Sequence, residues 1–178
     1  MSVKSRTPPS TTNLQSSKFQ IIFPRITSAT YFCQAVNIPG ISTTPVLNST
    51  PFADLYKPGD KPQYGNFSME FIIDEELWGF QIIFDWIKGY SFPSDFEEYK
   101  NLYRLSEMNI PLNNSRPQYS DAQLTILSSK NLPKFRLKFI DIFPVGLNAI
   151  PLNTMLDANK PVTTTAEFKY QYYTIERL

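Results

Sequence analysis

Phe67-Ser68-Met69-Glu70-Phe71-Ile72-Ile73, followed directly by Asp74-Glu75-Glu76, is the clearest structural signal in this sequence. The first seven residues alternate, with Phe67, Met69, Phe71 and Ile73 on one side and Ser68 and Glu70 on the other. Such alternation over a short run is typical of a strand with one buried face. Asp74 is a favourable helix N-cap, and the two glutamates suit a first helical turn. The segment therefore predicts a strand, then a helix over about residues 75–88 that ends at Gly89.

The predicted helix has a wide apolar sector. Its central face is formed by Leu77, Phe80, Phe84 and Ile87, and Trp78, Ile83 and Trp86 widen it. A sector of this width indicates burial against a sheet and contact with a second partner.

Further strands are predicted on both sides of this segment. Alternating or short apolar runs occur at residues 18–23, 31–37, 122–127, 134–143, 147–152 and 163–175. The chain contains 14 Phe and 10 Tyr, which favour strands, and 15 Pro against six Gly, which favour rigid turns. A capping pattern at 94–97 predicts a second, short helix to about residue 105. The sequence therefore predicts a mainly β fold, a sandwich or barrel of two packed antiparallel sheets with one flanking helix.

The length of 178 residues suits one domain with a single core. Residues 1–16 are polar and rich in Ser, Thr and Pro, which predicts a flexible N-terminal arm, and residues 17–178 form the predicted domain. Residues 91–119 are predicted to be a large insert. The start lacks the apolar core of a signal peptide, and no apolar run approaches the roughly 20 residues of a membrane helix. We therefore expect a chain made in a reducing cytoplasm, with no membrane partner.

Residues 41–65 form a long segment interrupted by proline at positions 45, 51, 58 and 62. These prolines predict a mostly irregular loop, with brief pairing at most over residues 43–47. The segment nevertheless carries four large apolar side chains, Phe52, Leu55, Tyr56 and Tyr64. Because long loops in compact domains are often functional, we interpret it as a contact loop.

Catalytic and metal-binding motifs are missing from the sequence. It has no histidine, which is the commonest general base and metal ligand, and it has no glycine-rich phosphate loop. The single cysteine, Cys33, lies in a predicted strand, where a small core residue is the simpler interpretation. We therefore predict no enzyme activity, no cofactor and no metal site.

Lys134, Arg136 and Lys138 share one face of a predicted strand. Such a row could contact phosphates, but it is more often a solvated face or an edge protected by charge. The net charge of the chain is only +1, so nothing else indicates specific nucleic-acid recognition.

The order of these segments resembles the tail tube proteins of contractile-tailed bacteriophages, which are related to the type VI secretion tube protein. The resemblance covers about residues 18–178. It rests on Phe32–Gly40 followed by the 41–65 loop, on Phe67–Ile73 with Asp74–Glu76, on Phe84–Trp86, on Phe143–Val145, and on 147–152 with Phe168–Tyr173. The long N-terminal arm and the insert at 91–119 depart from a plain tube protein.

This resemblance implies a structural virion protein that forms the inner tail tube. Hexameric rings would stack, their sheets joined in a continuous β-barrel that is a conduit for DNA, present only as transient cargo. The partners implied are other copies of the chain, the tail sheath protein, and baseplate and tail-terminator proteins. The resemblance and the 41–65 loop together predict a subunit interface at Pro39, Gly40, Ile41, Phe52, Leu55, Tyr56 and Tyr64. Because family lumens are implied to be acidic or neutral, the basic row is expected to face away from the channel or to be neutralised by a neighbour's carboxylates.

Two alternatives remain open at this point. The long N-terminal arm and the insert at 91–119 could belong to a tube initiator at the baseplate or to a terminator at the other end of the tail. A different class, a carbohydrate-binding β-sandwich of a tail fibre, would use exposed Tyr and Trp to stack on sugars.

Overall fold

The computed structural model describes residues 13–91, 95–97, 99–100, 118–153 and 161–178. Its elements are β1 (Phe19–Ile22), α1 (Thr27–Tyr31), β2 (Cys33–Val36), β3 (Ile41–Thr43), β4 (Val46–Ser49), β5 (Asp54–Lys57), β6 (Pro62–Tyr64), β7 (Phe67–Ile72), α2 (Trp78–Ser91), β8 (Ser120–Leu127), β9 (Pro133–Leu147), β10 (Thr163–Lys169) and β11 (Tyr172–Arg177). The mainly β prediction is confirmed, but α1 was not predicted. Of the predicted short second helix, residues 96, 97, 99 and 100 are helical. Its remainder, residues 1–12 of the arm and most of the 91–119 insert lie outside the described residues.

Two antiparallel sheets share strand β9. Sheet I has the order β1-β8-β9-β11, and sheet II has the order β9-β10-β7-β2. Residues 133–142 of β9 pair with β8, whereas residues 143–147 pair with β10. Strands β10 and β11 follow one edge of β9 almost continuously, from Ala166 opposite Leu147 to Arg177 opposite Phe135. The predicted final strand is therefore confirmed, with an interruption after Lys169.

Strand β9 changes its buried face at Asp141. Leu137 and Phe139 are buried as predicted, but the next buried residue is Ile142 rather than Asp141. Asp141 has a φ of 53°, its N–H donates to Oδ1 of Asp121 at 3.4 Å, and the register with β8 shifts there. A bulge adds one residue to a strand, so every side chain beyond it moves to the opposite face. The predicted alternation over residues 134–143 was therefore wrong beyond this point.

The buried face of α2 differs from the predicted one. Ile83 and Trp86 are completely buried with Gly79 and Gly89, whereas Leu77 and Phe84 are 43% and 50% exposed. A Cβ on Gly79 would lie 3.5 Å from Ala29 and Phe71, so this glycine allows α2 to approach α1 and β7 closely. The hydrophobic pattern did not predict this face, because the close contact is made at Gly79, which has no side chain.

Asp74 is not the N-cap residue that the sequence predicted, because Leu77 directly precedes the helix and no acidic residue lies in its first turn. The carboxylate of Asp74 nevertheless accepts hydrogen bonds from the backbone N–H groups of Trp78 at 3.2 Å and Gly79 at 3.4 Å. The helix therefore begins at Trp78, three residues later than predicted, and it continues through Gly89 to Ser91. Gly89 is a buried packing residue and does not end the helix.

The short strand predicted over residues 147–152 was wrong. Instead β9 runs through Pro144 to Leu147, and residues 148–153 have no strand. Proline is tolerated in a strand where its missing N–H faces no ladder partner. The carbonyl of Pro144 accepts a hydrogen bond from the hydroxyl of Tyr90 in α2 at 2.9 Å, so the helix covers this edge of sheet II.

The core lies between the inner faces of the two sheets and the helices. It is rich in aromatic side chains: Phe23, Phe67, Phe71, Trp86, Phe139 and Phe168 are at most 1% exposed. Phe67, Met69 and Phe71 form the inner face of β7, as the alternation predicted. Within the described residues, no helix has the length and apolar character needed to span a bilayer.

Candidate assembly interface

Residues 41–64 form a long β-hairpin. β3 pairs with β6 near the base, and β4 pairs with β5 towards the tip. The prediction of a mostly irregular loop was therefore wrong. Proline at 45 and 58 falls between the two ladders, proline at 51 lies in the turn, and proline at 62 is the first residue of its strand. At these positions proline removes few ladder hydrogen bonds, so the chain can remain extended.

The outer half of the hairpin is exposed to solvent on both faces. All eight residues of β4 and β5 are exposed, and Phe52 at the tip is 99% exposed. Leu47 and Tyr56 form a cross-strand pair, as do Asn48 and Leu55. An isolated two-stranded hairpin has only marginal stability in water, and exposed apolar groups of this kind mark binding surfaces. The tip therefore has the properties of a surface that a partner covers.

Two tyrosine hydroxyls hold the base of the hairpin. Tyr173 donates to the carbonyl of Pro39 at 3.1 Å, and Tyr170 donates to the carbonyl of Gly65 at 3.0 Å. The two exits of the hairpin are joined directly, since the N–H of Gly65 donates to the carbonyl of Gly40 at 2.9 Å. The hairpin is thus an exposed arm on a fixed base.

The aromatic ring of Tyr64 fills the space between these tyrosines. Its centroid lies 5.8 Å from that of Tyr170 and 5.6 Å from that of Tyr173. Burial, and then the neighbouring phenols, raise the pKa of Tyr170 to about 12. Tyr170 is therefore neutral at physiological pH, which suits a permanent structural role.

The predicted interface residues therefore occupy two places. Ile41, Phe52, Leu55 and Tyr56 are exposed on the hairpin, whereas Pro39 and Tyr64 lie in its base, beside the exposed Gly40. Tyr170 and Tyr173 were not predicted as part of this site. The sequence shows them only as alternating strand residues, and their hydroxyl partners are 105 and 134 residues away.

Asn37 connects the hairpin base to sheet II. Its Nδ2 donates to the carbonyl of Asn66 at 3.0 Å, and its Oδ1 accepts from the N–H of Ser68 at 2.8 Å. Asn66 in turn donates to the Glu167 carboxylate at 2.9 Å. The side chain of Asn37 thus replaces ladder hydrogen bonds where β2 and β7 separate.

The outer faces of the two sheets carry opposite charge. Lys134, Arg136 and Lys138 lie on the outer face of sheet I, and Lys138 has a carboxylate partner there, Glu176 at 2.8 Å. The outer face of sheet II carries Glu70 on β7, and Glu167 and Lys169 on β10. The row of Lys134, Arg136 and Lys138 does not protect a strand edge, because β8 and β11 pair with both edges of this part of β9.

In the two main sheets, as far as the structure describes them, both ends of each sheet have an unpaired strand edge. These edges belong to β1 and β11 in sheet I, and to β2 and residues 143–147 of β9 in sheet II. Unpaired strand edges present N–H and C=O groups that can pair with another chain.

The sequence matches the family model described as phage tail tube protein over residues 7–176. This chain belongs to the phage tail tube protein family. The match spans nearly the whole domain, including the hairpin and both sheets, so the family resemblance read from the order of segments is confirmed. No curated protein matches the sequence.

Solved structures show the same tube fold at low sequence identity. The anti-feeding prophage tube terminating cap has a TM-score of 0.59 at 11% identity and full coverage of both chains. The anti-feeding prophage baseplate gives 0.56 at 12% identity, covering 94% of this chain and 97% of that one. The sheath-tube complex of the extracellular contractile injection system PVC gives 0.55 at 10% identity, with 93% coverage of each. This chain therefore shares its fold with these chains.

Chemistry that a catalytic site would need is scarce in the described part of the chain. Cys33 is half-buried, and its burial raises the pKa of the thiol to about 11, so it is a weak nucleophile at neutral pH. Over the same residues, no group of three His, Cys, Asp or Glu side chains is placed to hold a metal ion.

Proposed function

We propose that this chain is a subunit of the inner tail tube of a contractile phage tail, a structural and not a catalytic virion protein. Hexameric rings of the chain stack into a tube inside the sheath, and the tube conducts DNA during ejection. The observation that carries the proposal is the exposed apolar hairpin on its fixed base, in a chain of the tail tube family. The hairpin reaches from one ring to the next and covers its apolar side chains there.

The unpaired edges account for closure of a ring. A β1 edge and a β11 edge lie at opposite ends of sheet I, so neighbouring copies can make the same contact repeatedly. Such heterologous contacts close into rings when the rotation permits and otherwise propagate as filaments. A tube of stacked rings contains both kinds of contact, because contacts within each ring close and contacts between rings propagate.

The charge of the two outer faces supports an assignment of the channel side. DNA passes a channel most freely when the wall does not attract phosphates. The outer face of sheet II carries Glu70 and Glu167 against Lys169, whereas that of sheet I carries Lys134, Arg136 and Lys138 against Asp121 and Glu176, so sheet II has the more negative face. We therefore assign sheet II to the lumen and sheet I to the outside, where the sheath protein is the expected neighbour.

A specialised position in the tail is the second candidate. The anti-feeding prophage cap and baseplate chains are at least as similar in fold as the PVC tube chain, with TM-scores of 0.59, 0.56 and 0.55. A terminator or a baseplate initiator of the same fold would use the hairpin on one side only. The copy number per particle separates these roles, since a major tube protein is present in many rings and an initiator or terminator in one or a few.

Electron microscopy of the purified protein tests the main proposal. At high protein concentration, negative-stain images are expected to show rings or tubes with a central channel. A chain that stays monomeric at all concentrations, and that mass spectrometry does not find in the phage particle, would contradict the proposal.

A further inference from the structure

A row of positive charges follows β9 on the outer face of sheet I. Lys134, Arg136 and Lys138 occupy every second position, which places neighbouring side chains about 7 Å apart along the strand. Arg136 lies opposite Thr125 of β8 on one side and opposite Glu176 of β11 on the other. It is therefore the central charge of the row, in the middle of the sheet and not at its edge.

The guanidinium of Arg136 is incompletely bonded within the described part of the chain. Glu176 is directly opposite in the ladder, yet its carboxylate binds Nζ of Lys138 at 2.8 Å. Among the described residues, the Nε of Arg136 is buried and has no hydrogen-bond partner. A buried donor without an acceptor destabilises a protein, so an acceptor supplied by a partner would be favourable at this position.

A carboxylate is the acceptor that fits this position. Placed side-on to the guanidinium, it accepts from Nε and from a terminal nitrogen at once, in the bidentate geometry that arginine favours. Lys134 and Lys138, on either side of Arg136, attract further negative groups of the same partner. Carboxylates at alternate positions of an extended segment are about 7 Å apart, which matches the spacing of the row.

The composition of this face favours an acidic protein segment over a nucleic acid. Asp121 and Glu176 lie among the cations, so a continuous phosphate backbone would meet repulsion beside each attraction. Ile22 and Tyr172, on the two strands that end the sheet, are 48% and 45% exposed on the same face. Aromatic and apolar side chains beside an arginine are typical of the contacts between proteins.

We infer that the outer face of sheet I binds an acidic segment of another protein, and that a carboxylate of this segment pairs with the guanidinium of Arg136. The face is accessible to such a partner, since the side chains of Lys138 and Glu176 are 35% and 44% exposed. The inference rests on the proposed function, which places sheet I on the outside of the tube. It deepens that proposal, because it states the chemistry of the surface that the neighbouring protein turns towards the tube.

Fluorescence anisotropy with a defined acidic peptide tests the inference. The probe is a short labelled peptide in which glutamate alternates with threonine, added to the full-length protein, whose rings or tubes are recorded by negative-stain microscopy. We expect binding that weakens with added salt, and no binding of the same peptide with glutamine in place of glutamate. Arg136→Gln is expected to weaken binding roughly tenfold. Arg136→Lys retains the charge but not the planar fork, so it should recover only part of the loss.

Lys130→Gln is the matched control, because it also removes one positive charge but lies in the exposed turn between β8 and β9, outside the row. It should change the affinity by about twofold at most. Equal weakening by Arg136→Gln and Lys130→Gln would overturn the inference, since it would indicate a general charge effect. If Arg136→Gln does not assemble, Arg136→Lys against Lys130→Gln makes the same comparison.

Two further results separate this inference from its alternatives. Single-stranded DNA of equal charge that binds as tightly as the peptide, and loses as much affinity in Arg136→Gln, would overturn the assignment to an acidic protein. Tubes that do not bind the peptide would also overturn the inference and leave the proposed function standing. A chain that binds the peptide but forms neither rings nor tubes would contradict the proposed function instead.

Discussion

The hydroxyl of Tyr173 donates a 3.1 Å hydrogen bond to the backbone carbonyl of Pro39, 134 residues earlier in the chain. Tyr173 belongs to β11, the edge strand of sheet I, and Pro39 belongs to the base of the hairpin. This bond and the neighbouring bond from Tyr170 to Gly65 hold the hairpin against the strands that end the chain. The surface assigned to contacts between rings is thus connected to the surface assigned to contacts within a ring.

Tyr173→Phe removes this hydrogen bond and keeps the aromatic packing against Tyr64 and Phe139. Losing one intramolecular hydrogen bond costs about 1 kcal/mol, so a modest decrease in the free energy of unfolding is expected in urea. Hydrogen exchange in residues 41–64 is expected to accelerate more than exchange in β7. Tyr172→Phe is the matched control, because Tyr172 is 45% exposed and should change neither quantity. Equal effects of the two substitutions would show that the hydroxyl of Tyr173 does not hold the hairpin.

The raised pKa of Tyr170 predicts loss of stability at alkaline pH. The folded-state pKa of about 12 lies above the ordinary value of 10, so the folded protein favours the neutral phenol. Its contribution is complete below pH 10 and is lost as the pH rises towards 12. The free energy of unfolding, measured by urea denaturation across this range, should fall less steeply in Tyr170→Phe than in the wild type. Identical slopes would mean that Tyr170 does not contribute to alkaline unfolding.

The sequence predicted those parts of the fold that depend on a regular period. In β7, Phe67, Met69 and Phe71 are buried as their spacing of two indicates, because neither proline nor a bulge interrupts the strand. In β9 the same logic fails at Asp141, since one bulged residue reverses the alternation. Where a bulge occurs depends on the opposing strand, which a local pattern does not contain.

The candidate site was only partly predictable for a similar reason. The apolar content of the hairpin indicated a contact segment, and Phe52 and Tyr56 are indeed exposed. That the segment is a hairpin was missed, because the effect of each proline depends on whether it falls inside or between ladders. Tyr170 and Tyr173 act through hydroxyl groups bonded to distant carbonyls, a relationship that only the folded chain shows.

Gly59 allows the two arms of the hairpin to come together between its ladders. A Cβ at this position would lie 2.0 Å from the carbonyl oxygen of Thr44, so Gly59→Ala forces the backbone apart. Hydrogen exchange should accelerate over residues 46–57, while protection in sheets I and II stays unchanged. Gly40→Ala is the control, since nothing lies within 4 Å of a Cβ there. Unchanged exchange in Gly59→Ala would show that this close approach does not hold the hairpin together.

Asp74→Ala removes the carboxylate that accepts from the N–H groups of Trp78 and Gly79. Loss of a side-chain acceptor for the first N–H groups of a helix costs about 1 kcal/mol, and a similar decrease in the free energy of unfolding is expected here. Asp74→Asn retains a side-chain acceptor and should recover most of that loss. If both variants are equally destabilised, the negative charge rather than the hydrogen bonds holds this end of α2. Glu75→Ala, which removes an exposed carboxylate next to the cap, is expected to have little effect.

Tyr56→Ala tests the hairpin as the contact between rings. Tyr56 is 73% exposed and pairs only with Leu47 across the hairpin, so its truncation should leave the free energy of unfolding nearly unchanged. If its ring is buried on the next subunit, the loss of about 2 kcal/mol per contact raises the concentration needed for polymerisation roughly 30-fold. Light scattering across a concentration series measures this shift, and single rings should still be seen by negative-stain microscopy. Leu152→Ala, an exposed apolar truncation outside the hairpin at 84% exposure, is the control and should polymerise normally. Normal polymerisation of Tyr56→Ala would remove Tyr56 from the contact and direct attention to Phe52 at the tip.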